Sequence, residues 1–322
     1  MDRKIFRILA LCLVAVWLAG TAQAVWAKYP DKQIRFIVPV APGGGADTLA
    51  RTLVRFMNPH LDNRVYIENV QGAGNAIGFR EGAKAAPDGY TVTMLVTSIT
   101  ITPNITKGYP TIDMFDPLCI LATDPAMLTV PIESPFKTVA DLIAYAKANP
   151  GKLSVGTSGK GSPGHLAMAA FGDATGTRFT YVPFKGSAPV LTATAGKHID
   201  VGTSTCSEAN TLVKGGKLRP LIVLNPDRSP LFPEVPTSKD IGIDVFVSYW
   251  RGAGVPKGTP AEAKRALVEA FRKALESEEC KKFLEQQGLN RVFLTPEQAT
   301  PWLLEQQKYF KGIADKIGLK PE

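Results

Sequence analysis

The residue types that could do chemistry in this 322-residue chain gather in two glycine-rich turns. The first, PVAPGGGAD from Pro39 to Asp47, follows the strand-like run IRFIVPV. It precedes TLARTLVRFM, whose Leu49, Leu53, Val54 and Met57 recur at helical spacing. Gly43, Gly44 and Gly45, which follow Pro42, can take positive φ and let another group approach the backbone, and the amides of a helix start attract anions. Ala46 and Asp47 complete the turn, with Asp47 placed either to cap the helix or to face a ligand. The second turn, GKGSPG from Gly159 to Gly164, spells GxGxxG between a strand and a helix, the context that a dinucleotide fingerprint requires. Pro163 removes one amide that a pyrophosphate would use, and the next strand ends in VPFKG with no acid to hold a ribose. A small-anion loop built on Gly159, Gly161, Ser162 and the helix amides fits these residues better than NAD. Lys160 adds a solvated, screened charge, and a side chain at Gly44 or Gly161 should block backbone approach.

Nucleophilic and metal chemistry have little to build on. The histidines are His60, His165 and His198, and none stands at metal-ligand spacing from another His, Cys or carboxylate, so no metal or cofactor is expected. Ser162 lies three residues before His165, close enough on one helical turn to meet it, which leaves an exported serine hydrolase as the alternative reading. Neither Ser158 nor Ser162 stands in a GxSxG elbow, and no third catalytic partner is evident. A Ser and a His on one first turn more often cap and bind than catalyse.

The elements that must position these turns alternate regularly. RVYIENV, the turn QGAGNAIG, a helical FREGAKAA and the strand TVTMLVTS, ending in Ser98, continue the strand, loop, helix order of a parallel sheet covered by helices. Asp116–Thr123 and Met127–Ile132 read as two strands, with Asp124 and Pro125 between them as a crossing point. The alternation restarts after the helix VADLIAYAKA: KLSVGTS, the second glycine turn, HLAMAAFGDATG, FTYVPF, APVLTATAGK, IDVGTSTC, EANTLVKGGK and LRPLIVLN. A Pro-rich connection follows, then a strand over Val247–Pro256, an amphipathic helix pair and a last helix.

Composition bounds the class. Hydrophobic residues make up 45% of the chain, ample for a core, and the length favours two domains. The formal net charge of +8 is dispersed, with no dense basic run interleaved with aromatics, so nucleic acid is not expected as a partner while small anions are. MDRKIFR, the apolar Ile8–Ala19 and Ala22-Gln23-Ala24 together read as a secretory signal cleaved after Ala24 or Ala27. Cys12 lies inside that run without the small residue before it that a lipoprotein site needs. Cys119, Cys206 and Cys280 remain, an odd and widely spaced set in which Cys206 is expected to stay a thiol.

KYPDKQIRFIVPVAPGGGADTLAR, YIENVQGAGNAIG, PDGYT, SGKGSPGHLA, VPFKGSAPVL, GKLRPL, PEVPT and YWRGAGVPKGTP occur in that order from about Tyr29 onward. Together they resemble the exported substrate-binding proteins of tripartite tricarboxylate transporters, the Bug family. The resemblance implies an α/β fold like the type II periplasmic binding proteins, with two α/β domains joined by crossing strands and a ligand cleft between them. It implies a signal peptide over residues 1–27, domain one over 28–124 plus 249–322, and domain two over 125–248. It further implies a periplasmic, monomeric receptor that catalyses nothing, captures a small organic carboxylate and delivers it to the transporter's membrane subunits. The family's pincer loops fall on Pro39–Asp47 and Gly159–His165. Ser98 and Thr205 complete the candidate set, Thr205 shaping the distal pocket. Ala46 departs from the family, which often places Thr before the aspartate.

Overall fold

The computed structural model describes residues 29–62 and 64–321. The leader expected over residues 1–27, with Cys12 and its cleavage sites, lies outside these residues.

Three parallel strands open the fold, β1 (Ile34–Val38), β2 (Val65–Asn69) and β3 (Thr91–Val96), ordered β2-β1-β3. Between them run helices α1 (Gly45–Met57) and α2 (Ala76–Lys84), and the single turn α3 (Ser98–Ile101) follows β3. The apolar period read in the sequence is the face α1 buries: Leu49, Ala50, Leu53, Val54 and Met57 pack on Phe36 and Val38.

The next strand, β4 (Phe115–Pro131), is a single strand of 17 residues where two were expected. Its first half lies beside the antiparallel β9 (Ser248–Pro256), which joins it to β3. Its second half enters another sheet, between β7 (Val201–Thr205) and β8 (Leu218–Val223). Pro125 cannot donate to a ladder, which argued for a break. It falls where β4 changes partners, after Thr123 opposite Asn290 of β10 (Asn290–Leu294) and before Ala126 opposite Thr205, so no continuous ladder loses a donor there. The strand β10 itself was not anticipated.

Around the second sheet are α4 (Val139–Ala148), β5 (Ser154–Thr157), α5 (Pro163–Thr175), β6 (Thr180–Pro183), α6 (Ser187–Ala195) and α7 (Cys206–Lys214). Strand β5 runs parallel to both β6 and β7. Each lobe has its own core: Phe36, Met94, Leu118 and Phe271 in the first, Leu128, Val155, Leu166, Phe171 and Ile222 in the second. Cys119, Cys206 and Cys280 are buried free thiols, and burial pushes Cys206 up to about 12.

After β9 come α8 (Ala261–Glu276) and α9 (Glu278–Gln287), the expected pair, split at Ser277, which caps α9. The last helix, α10 (Pro296–Lys316), spans both lobes. Ala299 and Leu303 join Phe79 and Trp250 on the first, while Phe310 and Ile313 join the core of the second. Phe310 is fully buried, so Phe310→Ala is expected to cost about 3–5 kcal/mol in chemical denaturation. A cost below about 1 kcal/mol would contradict the packing of this helix end on the second lobe.

Candidate functional site

Strand direction fixes where a ligand can bind. Strands β1, β2 and β3 are parallel, so the loops after Val38, Asn69 and Val96 share one edge of their sheet. The antiparallel pairing of Val96 with Arg251 and of Tyr249 with Asp124 brings the start of β9 and the middle of β4 to that edge. In the second lobe β5, β6 and β7 end together, and Ala126 pairs with Thr205 at the end of β7. The carboxyl ends of both sheets therefore meet at residues 124–126, where open α/β sheets bind ligands.

Both glycine turns arrive at this meeting. In the first, Gly43 alone takes positive φ (81°); Gly44 is extended at φ −69° as the residue before the helix, and Gly45 is its first residue. The Gly43 N–H donates to Asp47 Oδ2 at 2.8 Å. Asp47 is 1% exposed, and Arg51 Nε (2.9 Å) and Asn69 Nδ2 (2.8 Å) complete its shell. Burial alone would raise its carboxyl, but these donors outweigh it and hold it below the usual carboxylate range. Asp47 thus braces the loop instead of turning its carboxylate outward. Ala46 is buried in the first core. Pro42–Gly45 are exposed, and the amides of Gly45 and Ala46 take no partner within the helix.

The second turn repeats this device. The Gly161 N–H donates to His165 Nδ1 at 2.9 Å, again four residues ahead, and Ser162 Oγ accepts the His165 backbone N–H at 3.2 Å as the cap of α5. Burial first, and the Lys160 charge second, lower the His165 pKa, so the ring is neutral at neutral pH with its proton on Nε2. The hydrolase reading fails on this geometry. The Ser162 hydroxyl meets the backbone of His165, and the ring nitrogen that could serve as base already accepts from Gly161. Gly159 and Gly161 hold positive φ (131° and 72°), Pro163 occupies the first helical position, and Lys160 is exposed.

The two lobes stand in contact here: a Cβ added at Gly161 would lie 2.0 Å from Ile105 Cδ1 of the first lobe. A Cβ added at Gly45 would lie 3.0 Å from Arg251 Nη2. Ser98 accepts from Asn75 Nδ2 at 2.9 Å, tying the third glycine turn to the end of β3. Thr205 is 1% exposed, and its hydroxyl caps α7 in a box with Glu208. The neighbouring Ser207 donates its hydroxyl and its N–H to Asp124. Sequence reasoning missed Asp124 as a polar group of the site and missed Tyr249, Arg251 and Ser207 altogether. The signal available for Arg251 was one charge inside an otherwise apolar strand. A cavity of about 710 Å³ between α5 and α10, lined by Phe179, Tyr181, Tyr309 and Ile313, contains none of the expected site residues.

Two α/β lobes joined by crossing strands, each presenting a helix start to a shared edge, define a solute-binding receptor. The profile of the tripartite tricarboxylate transporter family receptor matches residues 49–319, and the chain belongs to that family. It is 33% identical over 313 residues to a Cupriavidus necator protein encoded in the gbd 5′ region, covering 97% of this chain and 95% of that one. It is 31% identical to BugT of Bordetella pertussis, covering 98% of both. Among solved structures it resembles a solute-binding protein of the same family from Polaromonas, with TM-score 0.79, 34% identity, and coverage of 89% and 99%. It also resembles an R. palustris protein solved with adipate, with TM-score 0.79, 29% identity, and coverage of 91% and 100%. Family members are receptors, so this chain binds a solute and does not transform it.

Asp124 is fully buried, and that burial raises its carboxyl to about 6 against the pull of Arg251, Ser207 and Thr205. A carboxyl whose folded pKa lies above its unfolded value of 3.8 binds more protons when folded, so it lowers stability as pH rises from about 4 to 6. The loss is on the order of 2–3 kcal/mol. Asp124→Asn is expected to remove this fall, so the stability difference between variant and parent should grow in the variant's favour over that window. A difference independent of pH would contradict the burial argument.

Proposed function

We propose that this chain is the exported, periplasmic receptor of a tripartite tricarboxylate-type transporter. It closes residues 28–124 plus 249–322 and residues 125–248 over one small organic carboxylate, acting as a monomer. It then delivers the carboxylate to the membrane subunits. The observation that carries the reading is the pairing of the two braced glycine loops. Each opens a helix, each belongs to a different lobe, and both face the edge where β4 and β9 cross. Two helix starts offer unpaired amides and two positive dipole ends to one anion, worth about 0.3–1 kcal/mol each when exposed and more when desolvated.

Relatives support the ligand class, since structures resembling this one hold adipate in one case and malate in another. One neighbour is the periplasmic binding protein BugD, and no helix among the described residues is long and apolar enough to cross a membrane. The basic, apolar and small-residue pattern of residues 1–27 supports export.

A thermal-shift screen over mono-, di-, tricarboxylic and aromatic acids tests the assignment. At a hundredfold excess over its dissociation constant the true ligand adds about 2.7 kcal/mol, a rise of several degrees. Calorimetry with the best acid is then expected to show binding lost in Gly45→Val, whose side chain crowds the turn and Arg251 Nη2, and in Gly161→Val, which cannot hold φ 72° without strain. Full affinity in both variants would overturn the pincer reading.

A further inference from the structure

Between the two helix starts, β9 holds two polar atoms that the fold leaves unused. Tyr249 and Arg251 stand two apart on β9 and share one face, while Trp250 between them packs against Trp302 on the other. The Tyr249 hydroxyl and Arg251 Nη1 are buried and find no hydrogen-bond partner among the described residues. The Arg251 side chain is 13% exposed, and the nearest carboxylate, Asp124, lies 3.9 Å from Nη2, beyond hydrogen-bond reach. Asp124 already accepts from Ser207. Ser158 and the Gly164 backbone adjoin the Tyr249 hydroxyl, yet neither reaches hydrogen-bond geometry. Buried donors left without partners are costly, most of all on a charged group, and a ligand's oxygens would satisfy them.

Their positions are specific. Arg251 Nη2 is 3.0 Å from a Cβ built at Gly45, the first residue of α1, and the Tyr249 hydroxyl is 3.3 Å from one built at Gly164, the second residue of α5. Strand β9 therefore carries one side-chain donor to each pincer. The electrostatic surroundings differ. Arg251 brings a full positive charge to the first pincer. Tyr249 lies directly opposite Asp124 across the β4–β9 ladder, and Glu208, bonded to Thr205, adds a second negative charge to its field. An ionised group beside Tyr249 would be repelled, whereas a neutral oxygen would not.

We propose that Arg251 and Tyr249 bind the ligand directly and set its class. The Arg251 guanidinium donates to the carboxylate at the start of α1, and the Tyr249 hydroxyl pairs with a neutral hydroxyl or carbonyl oxygen of the same molecule at the start of α5. The inference rests on the carboxylate-receptor reading and narrows it to hydroxy or oxo acids over plain monocarboxylates and over acids ionised at both ends.

Calorimetry with linear four- and six-carbon monocarboxylates, their hydroxy derivatives, their primary amides and the matching dicarboxylates tests it. The wild-type protein should favour the hydroxy acids. Arg251→Gln should weaken acid binding about 10- to 100-fold and erase the preference for acid over amide, with Arg251→Lys restoring part of that preference. Tyr249→Phe should erase the preference for hydroxy over unsubstituted acid while keeping acid over amide. Near-ultraviolet circular dichroism and melting curves establish that each variant is folded, and a misfolded Arg251→Gln leaves the Tyr249→Phe and Arg251→Lys comparisons to decide. Unchanged acid-to-amide ratios in the Arg251 variants, or an unchanged hydroxy preference in Tyr249→Phe, would overturn the proposal while the receptor reading stands. Failure of the wild-type protein to bind any acid would defeat that reading itself.

Discussion

Everything at the site depends on two strands that belong to both lobes' geometry at once. Strand β4 leaves one sheet and enters the other at Pro125, and β9 starts beside it at Ser248. Because the parallel strands of each lobe end at this crossing, the loops after them face one another without any element dedicated to bringing them together. The buried Asp124 stands at the same point, held by Ser207 from the second lobe and facing Arg251 from β9. One short stretch of backbone therefore carries the chain between the lobes and concentrates charge there.

The two pincers solve one problem in the same way. A glycine turn that must present amides to a ligand would be loose if left alone, since glycine has the most backbone freedom to lose. Each turn ties one glycine N–H to a side chain four residues ahead, Gly43 to Asp47 and Gly161 to His165. In each case the acceptor is itself fixed, Asp47 by Arg51 and Asn69, His165 by burial and by the edge-on ring of Tyr181 at 4.7 Å. The remaining amides of Gly45, Ala46 and Gly164 are held in place before a ligand arrives, which lowers the ordering cost of binding.

Much of this was legible in the sequence because it is local. The alternation of strands and helices, both glycine turns, the α8–α9 pair and the crossing at Asp124-Pro125 follow from periodicity and breakers within a few residues. What was not legible depends on partners distant in the chain. Strand β10 is a five-residue run whose pairing with β4 lies some 170 residues back, so its own pattern is weak. The continuity of β4 was hidden because Pro125 is tolerated only where the pairing changes. Asp47 and His165 have the residue types of a ligand-facing or catalytic group, and only their bonds to Gly43 and Gly161 reveal that they also brace the turns. Tyr249 and Arg251 stand in YWRGAGVPKGTP, a segment that carries the family resemblance but no spacing that points to a ligand, and their place between two helix starts appears only once β9 is placed.

A receptor of this kind works by closing its two lobes over the ligand about the β4–β9 crossing. Small-angle scattering on the mature protein, alone and saturated with the acid that stabilises it most, measures this directly. A closing cleft predicts a smaller radius of gyration with ligand than without it. Identical curves with and without saturating ligand would contradict a closing cleft.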